Sequence, residues 1–203
     1  MQFGRTKIKT DVEKVNRNNV LSVLADALTA HNANRADIDY LYRYFKGEQP
    51  VLAREKEIRP EICNKIGENI ANEIVSFKTG YLLGEPIQYV SRSDYDTSKE
   101  VGELNDIMEL CNKPCVDNDI AEWLYICGVG HRLILPNSDA LISKAVPALS
   151  KGVKPDLGDE SPFSIYCLDP RSSFIVHYSG IGEKPVMGVK YVKKDDLDVV
   201  YSI

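Results

Sequence analysis

The sequence predicts an α+β fold: N-terminal helices followed by a mostly antiparallel set of short strands. Three observations carry that prediction. Up to residue 127 the apolar residues recur at helical spacing. From residue 131 they fall in short apolar runs separated by turn residues such as Asp169-Pro170 and Ser179-Gly180. Helices and strands are grouped, with no βαβ rhythm, which argues against a doubly wound parallel sheet.

Residues 12–31 read as a first helix with Val15, Val20, Leu21, Leu24, Ala27 and Leu28 along one stripe. Residues 35–45 read as a second, with Ile38, Leu41, Tyr42 and Phe45 on one face and Gly47 to stop it. Residues 48–60 form a loop carrying Arg54, Lys56 and Arg59, a solvated stretch in its ordinary reading and a partner contact in its functional one.

Residues 62–90 are the most informative segment. Ile62, Ile66, Ile70, Ile74, Phe77 and Tyr81 share one helical face, and Cys63, Ala71, Val75 and Leu82 widen it to the width of a packed globular helix. Periodicity alone assigns this stripe to a core. Gly84-Glu85-Pro86 ends the helix, because proline has no amide donor and disfavours helical dihedrals in the residue before it. Residues 87–90 then read as a short strand and 91–98 as a polar hinge. Residues 99–110 form another helix, carried by Val101, Leu104, Ile107 and Met108. Residues 116–127 form the next, with Ile120, Trp123, Leu124 and Cys127 inward and Asp117 or Asn118 as its N-cap. Strands are expected at 131–135, 164–168, 173–178, 186–193 and 197–201. Residues 136–162, rich in Ser, Pro, Gly and Lys, form an excursion whose conformation the sequence leaves open.

The 203 residues suffice for one or two domains that bury roughly 70% of the unfolded chain's surface. The net charge of −5 argues against static gripping of nucleic acid over the whole surface, which needs clustered cations to displace counterions from phosphates. No apolar run approaches the roughly 20 residues that span a bilayer. Residues 1–19 lack the apolar core of a signal peptide, so a protein cytoplasmic at synthesis is expected. Cys63, Cys111, Cys115, Cys127 and Cys167 fit a reducing compartment and no disulfide framework.

Cys111, Cys115, Cys127 and His131 have a spacing that could be read as a tetrahedral zinc site. Against it, Cys127 falls on the apolar side of a helix with Trp123 and Leu124, His131 opens a strand, and the gaps are looser than those of zinc ribbons. Gly128-Val129-Gly130 and Gly180-Ile181-Gly182 complete neither a dinucleotide fingerprint nor a phosphate loop, and read as turns. His31, His131 and His177 sit in different elements without a nucleophile motif nearby. Asp195, Asp196 and Asp198 read as a solvated turn before they read as a metal cluster. The expectation is therefore no catalytic residue, no cofactor and no metal.

Four phrases, in order, carry a family resemblance. They are Tyr40-Leu41-Tyr42-Arg43-Tyr44-Phe45-Lys46-Gly47; Thr79-Gly80-Tyr81-Leu82-Leu83-Gly84-Glu85-Pro86-Ile87; residues 119–135, with Gly128 and Gly130 at the helix exit; and Leu168-Asp169-Pro170-Arg171-Ser172-Ser173-Phe174-Ile175-Val176-His177-Tyr178, continued by residues 184–191. From about Arg35 to its end the chain resembles the portal proteins of tailed bacteriophages and prophages of Gram-positive hosts. The resemblance implies a non-catalytic virion protein, made in the bacterial cytoplasm and built into the unique capsid vertex as a closed ring, twelve-membered in the mature particle. Through such rings double-stranded DNA is packaged and ejected without sequence-specific contact. Terminase, scaffold, major capsid and head–tail connector proteins dock on them. A head-to-tail ring needs two different complementary faces on each subunit.

On this reading residues 1–34 are an N-terminal helical arm and residues 35–203 a wing-like α+β domain, with the family's stem, clip and crown absent from the sequence. A fragment or truncated prophage product is expected. An adaptor that reuses a portal wing for protein binding is the alternative, and an enzyme using Asp195, Asp196 and Asp198 is a third class.

Overall fold

A computed structural model describes residues 6–61, 64–92, 98–137, 161–194 and 197–202. The chain divides into two compact units, Met1–Lys78 with Glu122–His131 and Leu168–Ile203, and Thr79–Ala121 with Arg132–Cys167. Helices and mostly antiparallel strands are grouped as an α+β fold requires.

The first unit is built on a four-stranded sheet. Its order is β1 (Ile8–Thr10), β4 (Ser173–Tyr178), β5 (Pro185–Lys194) and β6 (Leu197–Ser202). β4, β5 and β6 pair antiparallel, whereas β1 joins the edge parallel to β4, with Ile8 opposite Val176. The two-residue period of a strand puts Phe174 and Val176 on one face, opposite Val189 and Met187 of β5. Against that face lies α1 (Val20–Phe45), whose Val23 and Ala27 complete a core with Ile8 and Tyr191. Each fully buried Val or Ile there contributes about 1.5–3 kcal/mol.

Residues 12–31 and 35–45 were expected as two helices, but α1 is one helix that starts eight residues later than residue 12. At its start, the Asn16 carboxamide accepts from the amides of Asn18 and Asn19, and that of Asn19 accepts from Asn16. These local bonds give the backbone a turn in place of a helix. Between the two expected helices no Gly or Pro intervenes. Asn34 stays helical and donates to the Thr6 carbonyl at 2.8 Å. β1 itself, three residues inside a polar stretch, had no period by which to be read.

The loop after α1 contains a short helix, α2 (Pro50–Ala53), with proline in its first turn, where the missing amide costs nothing. The next helix was expected from residue 62. Residues 62 and 63 lie outside the described ones, residues 64–69 are non-helical, and α3 spans Ile70–Leu83. Its start is set by Asn69, whose side chain accepts from the Asn72 amide at 3.3 Å as an N-cap does. Its end is where the Gly84 stop was expected. A Cβ at residue 84 would lie 2.5 Å from the Gly80 carbonyl oxygen, so only glycine fits.

The second unit holds α4 (Ser98–Leu110), most of α5 (Lys113–Cys127) and most of a two-stranded sheet of β2 (His131–Pro136) and β3 (Phe163–Leu168), whose residues His131 and Leu168 belong to the first unit. α5 begins earlier than expected, because Pro114 is accommodated in its first turn. Asp117 is thus inside the helix instead of capping it. Residues 87–90 form no strand. The carboxamide of Asn105 on α4 takes both backbone groups of Tyr89, at 2.9 and 3.0 Å, in place of a neighbouring strand. The hinge residues 93–97 and the excursion residues 138–160 lie outside the described ones. Among the described residues no helix is long and apolar enough to cross a membrane.

Replacing Asn105 with Ala leaves both Tyr89 backbone groups without their partner. With about 1 kcal/mol for each hydrogen bond, unfolding free energy should fall by about 2 kcal/mol in urea titrations. Deuterium uptake at the Tyr89 amide should rise.

Candidate interaction surfaces

The corner at residues 169–173 is the densest polar junction of the first unit. Asp169 accepts from the backbone amide of Arg171 at 2.8 Å and from its guanidinium at 2.6–3.0 Å, a two-pronged pair. Burial alone would push the Asp169 carboxyl up, but those bonds and the Arg171 charge bring it below the usual range. The Arg171 guanidinium lies 4.2 Å from the ring centre of Tyr42 and 5.5 Å from that of Trp123, which stack on each other at 5.1 Å. Residues from the first, third and fourth family phrases therefore meet in one cation–aromatic stack, worth about 1–2 kcal/mol once partly desolvated. Beside it opens a polar hollow of about 540 Å³ lined by Arg35, Asp39, Asp169 and Arg171 among others. Its charges balance, and its acids face the Arg171 guanidinium.

The turn after α1 aims the next segment. Gly47 adopts a φ of +91°, the left-handed region that closes helices. Asn69 donates to the Phe45 carbonyl at 2.9 Å, and Gln49 donates to the Glu68 carbonyl. α3 leaves this junction with two apolar faces. Ala71, Val75 and Leu83 turn inward, Val75 being 7% exposed. On α3 the stripe that periodicity assigned to a core is outward: Phe77 is 73% exposed and Tyr81 85%, with Ile70 and Ile74 at least half exposed, while Ile66 lies in the non-helical segment before it. A helix apolar on both sides offers two stripes of equal period. The smaller side chains, Ala71 and Val75, are the ones seated against the fold.

In the second unit a buried ionic cluster ties α5 to β2. Asp117 is paired with Lys113 one turn earlier and with Arg132, and the Lys113 ammonium lies 5.6 Å over the Tyr89 ring. A buried carboxylate with two cationic partners is fully compensated, and stripping either partner leaves an expensive charge behind.

The zinc candidates have other engagements. The Cys111 thiol bonds to Ser161 Oγ at 2.9 Å and donates to the Phe163 carbonyl at 3.2 Å. Cys127 donates to the carbonyls of Trp123 and Val129, and burial pushes its thiol up, away from the thiolate that ligates metals. Cys115 is exposed. Among the described residues no group of three or more His, Cys, Asp or Glu is placed to hold a metal ion. Asp195 and Asp196 lie outside the described residues, and Asp198 is in β6. Gly128 and Gly182 have positive φ, as turns require. The three histidines, scattered in sequence, converge on one small cavity, for which periodicity held no signal.

A family model described as phage portal protein, SPP1 Gp6-like, matches residues 24–202. No curated protein matches the chain.

An Arg171→Lys variant keeps the charge but loses the planar fork and the stacking surface. Unfolding free energy should drop by about 2 kcal/mol, read by urea titration, and the Trp123 emission should shift as the stack loosens. An unchanged midpoint would assign the corner's stability to its backbone turn alone.

Proposed function

The chain belongs to the family of phage portal proteins of the SPP1 Gp6-like type, and from that membership we propose that residues 35–203 act as the wing of a ring subunit. The family's role is structural. The ring sits at the unique capsid vertex of the virion, a closed assembly of twelve copies whose central opening passes double-stranded DNA. Terminase, scaffold, major capsid and head–tail connector proteins dock on the assembled ring, and residues 1–34 act as an arm leading into the wing.

The observation that supports this reading most is the outward stripe of α3. Ile70, Ile74 and Phe77 present large apolar side chains at the surface along one face of α3. Scattered apolar residues on a surface are ordinary, but a contiguous row on one helix marks a contact with another molecule. In a head-to-tail ring each subunit covers such a row with a different face of its neighbour.

Electron microscopy of the gene product carrying this sequence, with scaffold protein present, should show rings with a central hole. Ile74→Asp should abolish them, while the isolated chain unfolds within about 0.5 kcal/mol of the unsubstituted one, as expected for a surface change. Monomers under every condition without the substitution would overturn the ring. Rings that survive Ile74→Asp would remove α3 from the contact.

A further inference from the structure

All three histidines of the chain line a single cavity of about 150 Å³ in the first unit: His31 from α1, His131 at the start of β2 and His177 from β4. Thr6, Lys7 and Ile8 form another part of its wall, so the segment entering β1 closes it. His31 is 1% exposed and stacks on Phe174 at 4.4 Å. Its Nε2 donates to the Arg171 carbonyl at 3.2 Å, and His177 Nδ1 donates to the Glu183 carbonyl at 3.0 Å. The bond to the Arg171 carbonyl fixes the tautomer of the neutral His31 ring and leaves Nδ1 as its site of protonation.

The surroundings are poor in counter-charge. Among the described residues lining the cavity there is no carboxylate. α1 contributes Arg35, whose charge opposes protonation of His31, and the segment entering β1 contributes Lys7. The turn before β5 contributes Glu183, but its carboxylate already holds Lys7 at 2.8 Å and Lys9 at 2.5 Å, which keep it ionised down to about 2. Burial lowers the pKa of His31 and of His131, and His31 lowers that of His131 further.

The wall least able to resist is β1. It is a three-residue edge strand in a parallel pairing, the weaker kind per residue. Outside its ladder it is held by Ile8 alone in the core, by Asn34 on the Thr6 carbonyl, by the Ser179 amide on the Thr10 carbonyl at 2.9 Å and by the exposed Lys–Glu183 bridges. Elements with so few buried contacts open before the core does.

We propose that the three-histidine cavity makes β1 a proton-sensitive strap, released from the sheet edge when more than one imidazole is charged while α1, β4 and β5 stay folded. Two imidazolium groups beside Lys7 and Arg35 repel one another, and opening this wall lets water reach them. The sign follows from lowered values in the docked state. Docking is fully stable above the ordinary histidine value of about 6.5 and weakens as pH falls below it, because the open form binds protons more tightly.

Amide exchange of the 203-residue chain, corrected for intrinsic rates, tests this between about pH 7.5 and about pH 5, a range spanning the ordinary histidine value. Protection in β1 should fall about tenfold across that range as the open form takes up protons. Protection at Val189 and Tyr191 should hold. The double variant His131→Gln/His177→Gln should flatten the β1 response. Constant β1 protection, loss in β1 and β5 together, or an unchanged profile in a folded double variant would overturn the strap. Should the variant fail to fold, the comparison of β1 with β5 in the unsubstituted chain decides alone.

Discussion

The first unit depends on Arg171 more than on any other residue. Its carbonyl oxygen accepts from His31 Nε2 and from the Tyr191 hydroxyl at 2.9 Å, using both lone pairs to join α1 and β5 to the corner before β4. Its guanidinium grips Asp169 and covers the Tyr42–Trp123 stack. Ser173, at the start of β4, donates to the Asp169 carbonyl at 2.8 Å, and Pro170 between them is fully buried. A planar, always-charged fork on a half-buried stem suits this position, because it can pair with an acid through one edge and lie against aromatic rings with its face.

α3 illustrates the difference between what stabilises a subunit and what an assembly needs. Its inward side is small, with Ala71 and Val75, and allows close approach; its outward side carries the larger apolar groups. Leaving Ile70, Ile74 and Phe77 in water forgoes the transfer free energy that folding could have gained, about 1.5–3 kcal/mol for each such side chain when fully buried. That energy stays available for association. The same reasoning separates the stripe from the polar hollow at Arg171, where every charge is balanced within the unit.

Much of the architecture was legible because it rests on local periods. The strands at 164–168, 173–178, 186–193 and 197–201 and the helix at 99–110 agree with β3, β4, β5, β6 and α4 to within about two residues. Three of the misreadings share one cause: a side chain taking backbone partners. Asn16 and Asn19 delay α1, Asn69 sets the start of α3, and Asn105 holds residues 87–90 extended without a strand partner. Asparagine bonds to backbone groups as readily as another peptide does. Which backbone it will meet depends on folding, so the pattern of apolar residues carries no trace of it.

By itself, the sequence determined the fold class, the punctuation at Gly47 and Gly84 and the family, because helical and strand periods, permissive glycines and ordered phrases are properties of the chain read in one dimension. Only the tertiary structure decided which of the two apolar stripes of α3 is buried, and that His31, His131 and His177 share one cavity with β1 as its wall. Both are matters of proximity between residues far apart in the chain. Two stripes of equal period are indistinguishable until one of them is packed, and three isolated histidines have no common chemistry until a sheet and a helix bring them together.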